Sequence, residues 1–223
     1  MWYHSGVRTM VVCLLVASGV TACGTSADVT PSTPAETDTA VVAVNPAAVT
    51  RARSGLPPGY EVADLAEHAA PATFWGFKPG WAATPEQCGA LVDPGAGAPV
   101  RGWSASGPGG IIYAVVAGPG ATEASPDGCA TWSLAGGHSG ATVTEVPTPA
   151  SSGSPTVAMS AVTTTTVESG TQTRLHADTV TAYLRGTYIA SVTVVTDPGS
   201  VQQPLPPDIA PSLLAQVVSA VAG

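Results

Sequence analysis

The sequence predicts an α+β fold: a single domain with a twisted antiparallel sheet, helices packed on it and one disulfide. Three observations carry this expectation. Ile111-Ile112-Tyr113-Ala114-Val115-Val116-Ala117 is continuously apolar and largely β-branched, the pattern of a strand buried on both faces. The second half holds successive runs rich in Val, Thr, Tyr and Ile, separated by two-residue turn signals. After Asp208, the residues Ile209, Leu213, Val217, Ala220 and Val221 recur at helical spacing and give the chain a closing amphipathic helix.

The elements follow in order. Folded structure is expected to begin near Leu56-Pro57-Pro58-Gly59, with residues 60–65 as a strand, the alternative being the start of a helix running to residue 70. Thr84-Pro85-Glu86-Gln87 supplies a capping hydroxyl, a proline at the first helical position and a Gln three residues after the cap, which predicts a short helix over 85–92. Ser125-Pro126-Asp127-Gly128 repeats the signal and predicts a second helix to about residue 135, although Gly128 weakens it. Residues 101–106 are expected to pair with the buried run across Gly107-Pro108-Gly109-Gly110. Residues 142–147, 157–168, 171–184 and 187–196 read as strands. Ser169-Gly170 and Arg185-Gly186 make the last three of these an antiparallel meander. Pro211 falls in the first turn of the closing helix, where proline is tolerated.

The N-terminus reads as an export signal. Arg8 precedes a short apolar run that includes 11–17 and spans about ten residues, about half the length a spanning helix needs. Val20-Thr21-Ala22-Cys23-Gly24 resembles the bacterial lipobox. That resemblance implies cleavage before Cys23 and a diacylglyceryl thioether on it, often with a further acyl chain. Two or more chains anchor stably, at about 0.8 kcal/mol per buried methylene. Three segments are therefore expected: 1–22 the signal peptide, 23–55 the lipidated Cys23 with a disordered Thr/Pro/Ala-rich tether, and 56–223 the extracytoplasmic domain. The tether has few large apolar residues to offset the entropy of ordering it.

Beyond Cys23 the domain keeps two cysteines, Cys88 and Cys129, and in an oxidising compartment they read as one disulfide. Each follows the same local pattern of hydroxyl, Pro, acid, any residue, Cys, which would put both in the first turn of a short helix. A redox-active pair would use Cys-x-x-Cys; these stand 41 positions apart.

Composition excludes several classes. The formal net charge is −8 and there is no basic stripe, so no nucleic-acid partner is expected. His68, His138 and His176 stand far apart, so no metal is expected. Gly137-His138-Ser139-Gly140-Ala141 departs from the nucleophile-elbow pattern at its last residue and precedes a strand rather than a helix. No glycine-rich phosphate motif follows a strand. The expectation is a protein that is not an enzyme, with no catalytic residues and no cofactor.

One constellation is a candidate for binding. Phe74, Trp75, Phe77, Lys78 and Trp81 crowd together beside Gly and Pro, and Trp103 follows. They are a candidate surface for an apolar or sugar ligand, or for a protein partner. The reading favoured over this is that the aromatics fill the core beside the sheet.

Leu56-Pro57-Pro58-Gly59-Tyr60, Trp75-Gly76, Pro79-Gly80-Trp81, Pro85-x-x-Cys88 and Arg101-Gly102-Trp103-Ser104 together resemble a family of uncharacterised mycobacterial cell-envelope lipoproteins. The order of elements is also similar to the extracellular sensor domain of PknH-type mycobacterial kinases. That domain usually holds two disulfides where this chain can form one, and the chain carries no kinase. The resemblance therefore implies a fold and an extracytoplasmic binding surface, and no catalytic residue.

The expected function is a non-enzymatic, sensor-like binding module. It would be monomeric, anchored by lipid to the outer face of the cytoplasmic membrane, and would recognise an envelope ligand or protein. The alternative is a lipid or glycolipid carrier, which needs a large apolar cavity. A hydrolase would need a nucleophile, base and orienting group converging in space, and no motif in the chain supplies them.

Overall fold

The computed structural model describes residues 43–65, 70–121, 126–148, 154–196 and 201–223. The expected signal peptide, Cys23 and the tether as far as residue 42 lie outside the described residues, as do His68 and Ser125. From Val41 to Gly223 the chain forms one contact unit.

Nine strands make one antiparallel sheet: β1 (Glu61–Leu65), β2 (Ala82–Thr84), β3 (Val100–Gly107), β4 (Gly110–Ala117), β5 (Thr131–Gly136), β6 (Ser139–Val146), β7 (Thr156–Thr166), β8 (Gln172–Leu184) and β9 (Tyr188–Thr196). Their order across the sheet is β1-β3-β4-β9-β8-β7-β6-β5-β2. The expected β3–β4 hairpin forms, with Trp103 opposite Ala114. Its turn uses Gly109 at φ +90°, where a side-chain carbon would also lie 2.7 Å from the Gln203 carbonyl oxygen. The β7–β8–β9 meander forms as well, with Ser160 opposite Asp178 and Thr179 opposite Thr193.

The sheet has two unlike faces. On one, Val115, Trp132, Leu134, Val143, Met159 and Ala177 build a core with Trp75, Leu91 and Val92 from the connections. On the other, helix α2 (Ile209–Val221) and a 3-10 helix (Pro46–Gly55) cover Trp103, Ile112, Ala114, Val192 and Val180. Helix α2 buries Ala210, Leu213, Leu214, Val217 and Val221, which keeps the expected spacing but rotates the stripe away from Ile209 and Ala220. The cover stops short of β5 and β6, whose residues on that side, such as Thr131, Ser133, Thr142 and Thr144, are exposed.

Three expectations change. Residues 46–55, expected in the tether, form the first element instead. Small apolar residues make this possible: Val44, Ala48, Val49 and Ala52 are buried, and Asn45 caps the start by accepting from the Ala47 amide at 3.2 Å. The Trp103 indole N–H donates to the Val49 carbonyl at 3.0 Å, and Arg53 pairs with Asp64 of β1.

The expected helix over 125–135 is strand β5. Trp132 and Leu134 point into the core while Thr131 and Ser133 face out, and this period of two outweighs the cap-like residues before it. Gly128 sits at φ +81° in a turn rather than in a helix. The expected helix over 85–92 is a 3-10 helix, Glu86–Leu91, and Pro85 precedes it instead of standing inside it. The disulfide between Cys88 and Cys129 therefore staples a 3-10 helix to the entry of a strand, not two helix starts. A four-residue helix α1 (Pro71–Phe74) and the edge strand β2 were not expected.

Candidate functional site

The aromatic cluster does not make one surface. Trp75 is 0 % exposed, and its indole N–H donates to the Thr179 hydroxyl at 3.1 Å. That hydroxyl lies 2.9 Å from the one on Thr193, and Thr181 donates to Ser191 at 3.1 Å. A buried ladder of hydroxyls between β8 and β9 thus gives the indole its partner. Phe74 stacks on Tyr113 with ring centroids 4.0 Å apart, and Phe77 is buried. Trp103 is 0 % exposed in the other core, across the sheet from Trp75. Of the six residues in the expected binding surface, only Lys78 and the half-buried Trp81 reach solvent. Burial and hydrogen bonding place the other four in the two cores.

Trp81 nevertheless lines a pocket of about 400 Å³. Its walls come from Pro71 and Thr73 of α1, from Pro79, from the connection Asp93 to Pro99, and from Val100, Ala117 and Ile189 at the ends of β3, β4 and β9. Local sequence explains the shape. Trp81 leads into β2, which pairs with β5, and Gly136 at the end of β5 leaves room for it: a side-chain carbon there would lie 3.0 Å from the Trp81 Cα. On the opposite wall, Gly95 lets the connection settle on the sheet, because a side-chain carbon there would lie 2.8 Å from the Ala117 Cβ. Backbone turns hold that connection, with the Ala96 amide donating to the Asp93 carbonyl at 3.2 Å and Ala98 to Gly95 at 2.9 Å. Cys88 pins the chain five residues upstream of Asp93.

Asp93 is the one ionisable group among the described lining residues. Burial raises its carboxyl pKa above the ordinary aspartate range, and no ion pair to it forms among the described residues. The pocket thus presents apolar walls, one indole, one hydroxyl and one partly desolvated carboxyl. This is the usual make-up of a small-molecule site, mostly apolar with a few polar groups to orient the guest. The sequence signal for it was present only in Trp81; nothing in residue spacing marked Asp93.

A second groove, about 340 Å³, lies beside the start of α2 and is lined by His176, Asp178, Thr196, Leu205 and Pro206, among others. At its edge His176 and Asp178 meet Ser160, which does not line the groove, a convergence that residue spacing did not suggest. The Ser160 hydroxyl and the Asp178 carboxylate both approach His176 Nε2, each at 3.3 Å. A serine activated for attack needs its base held from the opposite ring nitrogen, so this is not the geometry of a triad. Among the described residues no group of three or more His, Cys, Asp or Glu is placed to hold a metal ion. No described helix is long and apolar enough to cross a membrane.

No curated protein matches the chain. A crystal structure of an uncharacterised protein from Mycobacterium smegmatis has a similar fold, with a TM-score of 0.56 over 81 % of this chain and 98 % of that one, at 16 % identity. Residues 45–222 match the domain of unknown function DUF5642, a span that begins with the 3-10 helix and ends with α2. The chain belongs to the DUF5642 family.

Proposed function

We propose that the chain is a lipid-anchored extracytoplasmic binding protein, a sensor-like module that takes a small envelope ligand in the pocket lined by Trp81 and Asp93. The observation that carries this is the pocket itself: about 400 Å³, walled mostly by apolar side chains, with a partly desolvated carboxyl and an indole. The lipobox-like stretch ending at Cys23 supports the anchor, and the resemblance to mycobacterial envelope lipoproteins supports the place.

A lipid carrier is the second reading, and the packing disfavours it. Leu213, Val217 and Val221 are fully buried against Ala114, Val192 and Val116, so the space between α2 and the sheet is filled. Catalysis at Ser160 is disfavoured because hydroxyl and carboxylate share one ring nitrogen of His176.

The test is mass spectrometry of material that co-purifies from native envelope, wild type against Ala98→Trp, which puts an indole into the pocket wall. The proposal expects a small molecule present with wild type and lost from the variant. A molecule retained equally by both, or none with either, contradicts it.

A further inference from the structure

We propose that the pocket is built for an organic ammonium: an amine, primary to quaternary, carried on a small apolar body. This rests on the binding reading above and names the class of ligand. Three features of the lining converge on it. Asp93 brings a carboxylate into a partly dry site, and no Lys, Arg or His is among the described lining residues to balance it. A charge taken out of water is unfavourable until a partner of opposite sign arrives, so the group that completes this site is a cation. Arg101 does not serve: it follows Val100 in β3, so its side chain leaves on the other side of the sheet, and its Nη1 donates to the Val100 carbonyl at 3.2 Å.

The second feature is Trp81. An indole face attracts ammonium groups more strongly than any other side-chain ring. The third is most of the remaining wall: apart from the Thr73 hydroxyl, Pro71, Pro79, Pro94, Pro99 and Ile189 offer hydrocarbon and no hydrogen-bond donor from their side chains. Such walls suit methylene or N-methyl groups, and beyond Thr73, Asp93 and Trp81 no lining side chain offers a sugar's hydroxyls a partner. An anionic ligand would meet Asp93 and a chain of net charge −8. Carboxylate, indole and proline surface together match a cation with an apolar body.

Calorimetric titration of the full-length protein with three compounds of one shape tests this: cyclohexylmethylamine, cyclohexylmethanol and cyclohexanecarboxylate. The amine is expected to bind at least about tenfold more tightly than the alcohol, the scale of one charge-assisted hydrogen bond, and the carboxylate not at all. Asp93→Asn, which keeps the side-chain shape, is expected to erase the preference for the amine while leaving the unfolding transition in place. Equal affinity for amine and alcohol, or an amine affinity unchanged in Asp93→Asn, overturns the inference. If the neutral alcohol binds wild type and not Ala98→Trp, the ammonium class is lost and the pocket stands. If none of the three binds, the ammonium class is likewise lost, and the pocket is then decided by what co-purifies from the envelope.

Discussion

The indole N–H of Trp75 donates to the hydroxyl of Thr179 at 3.1 Å, a bond between residues 104 positions apart that is shut inside the core. Thr179 is shared with Thr193, so one hydroxyl serves two neighbours. Thr179→Val keeps the shape and removes the oxygen, leaving a buried indole N–H without an acceptor. The expected loss is about 1–3 kcal/mol, read as a lower urea midpoint at unchanged slope. A midpoint within error of wild type would mean the ladder contributes nothing to stability.

The disulfide joins Cys88 to Cys129 across 41 positions and lies inside the core beside Leu91 and Trp132. In the chain-entropy account, closing a loop of that length stabilises by about 4 kcal/mol. The double variant Cys88→Ala, Cys129→Ala is expected to lose most of that in equilibrium unfolding and to bind more weakly, because the connection carrying Asp93 follows Cys88 directly. A loss under about 1 kcal/mol would assign the bond a role other than constraint.

The domain is expected to need residues 43–55. A chain starting at 43 should unfold cooperatively, whereas one starting at 56 uncovers Trp103 and leaves its indole N–H without Val49. Emission of Trp103 should shift to the red in the shorter chain, with a clear drop in thermal midpoint. Identical midpoints for the two chains would show that the 3-10 helix is an ornament on the fold.

Much of the sheet was legible because its signals are local. The β-branched run of β4, the glycine-rich turn before it and the Ser169-Gly170 and Arg185-Gly186 turns specify strands and hairpins without help from the rest of the chain. Strand β5 was misread because Ser-Pro-Asp-Gly imitates a helix start, and only two inward positions, Trp132 and Leu134, argue otherwise. The 3-10 helix was hidden by composition: its buried residues are Ala and Val in an Ala-rich stretch that also suits a tether. The aromatics could not be sorted by spacing, since the face on which Trp103 lies follows from its register with Ala114. The pocket is made where a loop folds back onto strand ends, and Gly95 against Ala117 is a contact that no periodicity encodes.

The anchor is expected to rest on Cys23 alone. Cys23→Ala should move the protein from the membrane pellet to the aqueous fraction, and metabolic labelling with a palmitate analogue should mark wild type only. A variant that stays in the membrane unchanged would remove the lipoprotein reading and leave the pocket reading untouched.

Of the tryptophans in the domain, Trp75, Trp103 and Trp132 are buried and Trp81 alone is half-exposed, so quenching by acrylamide reports on the pocket. The most direct test is to titrate the mature protein with fractions of native envelope extract while following that quenching. The account predicts that at least one fraction shields the quenchable tryptophan, and that the response vanishes in Trp81→Phe. Protection that persists in Trp81→Phe, or no protection by any fraction, would contradict it.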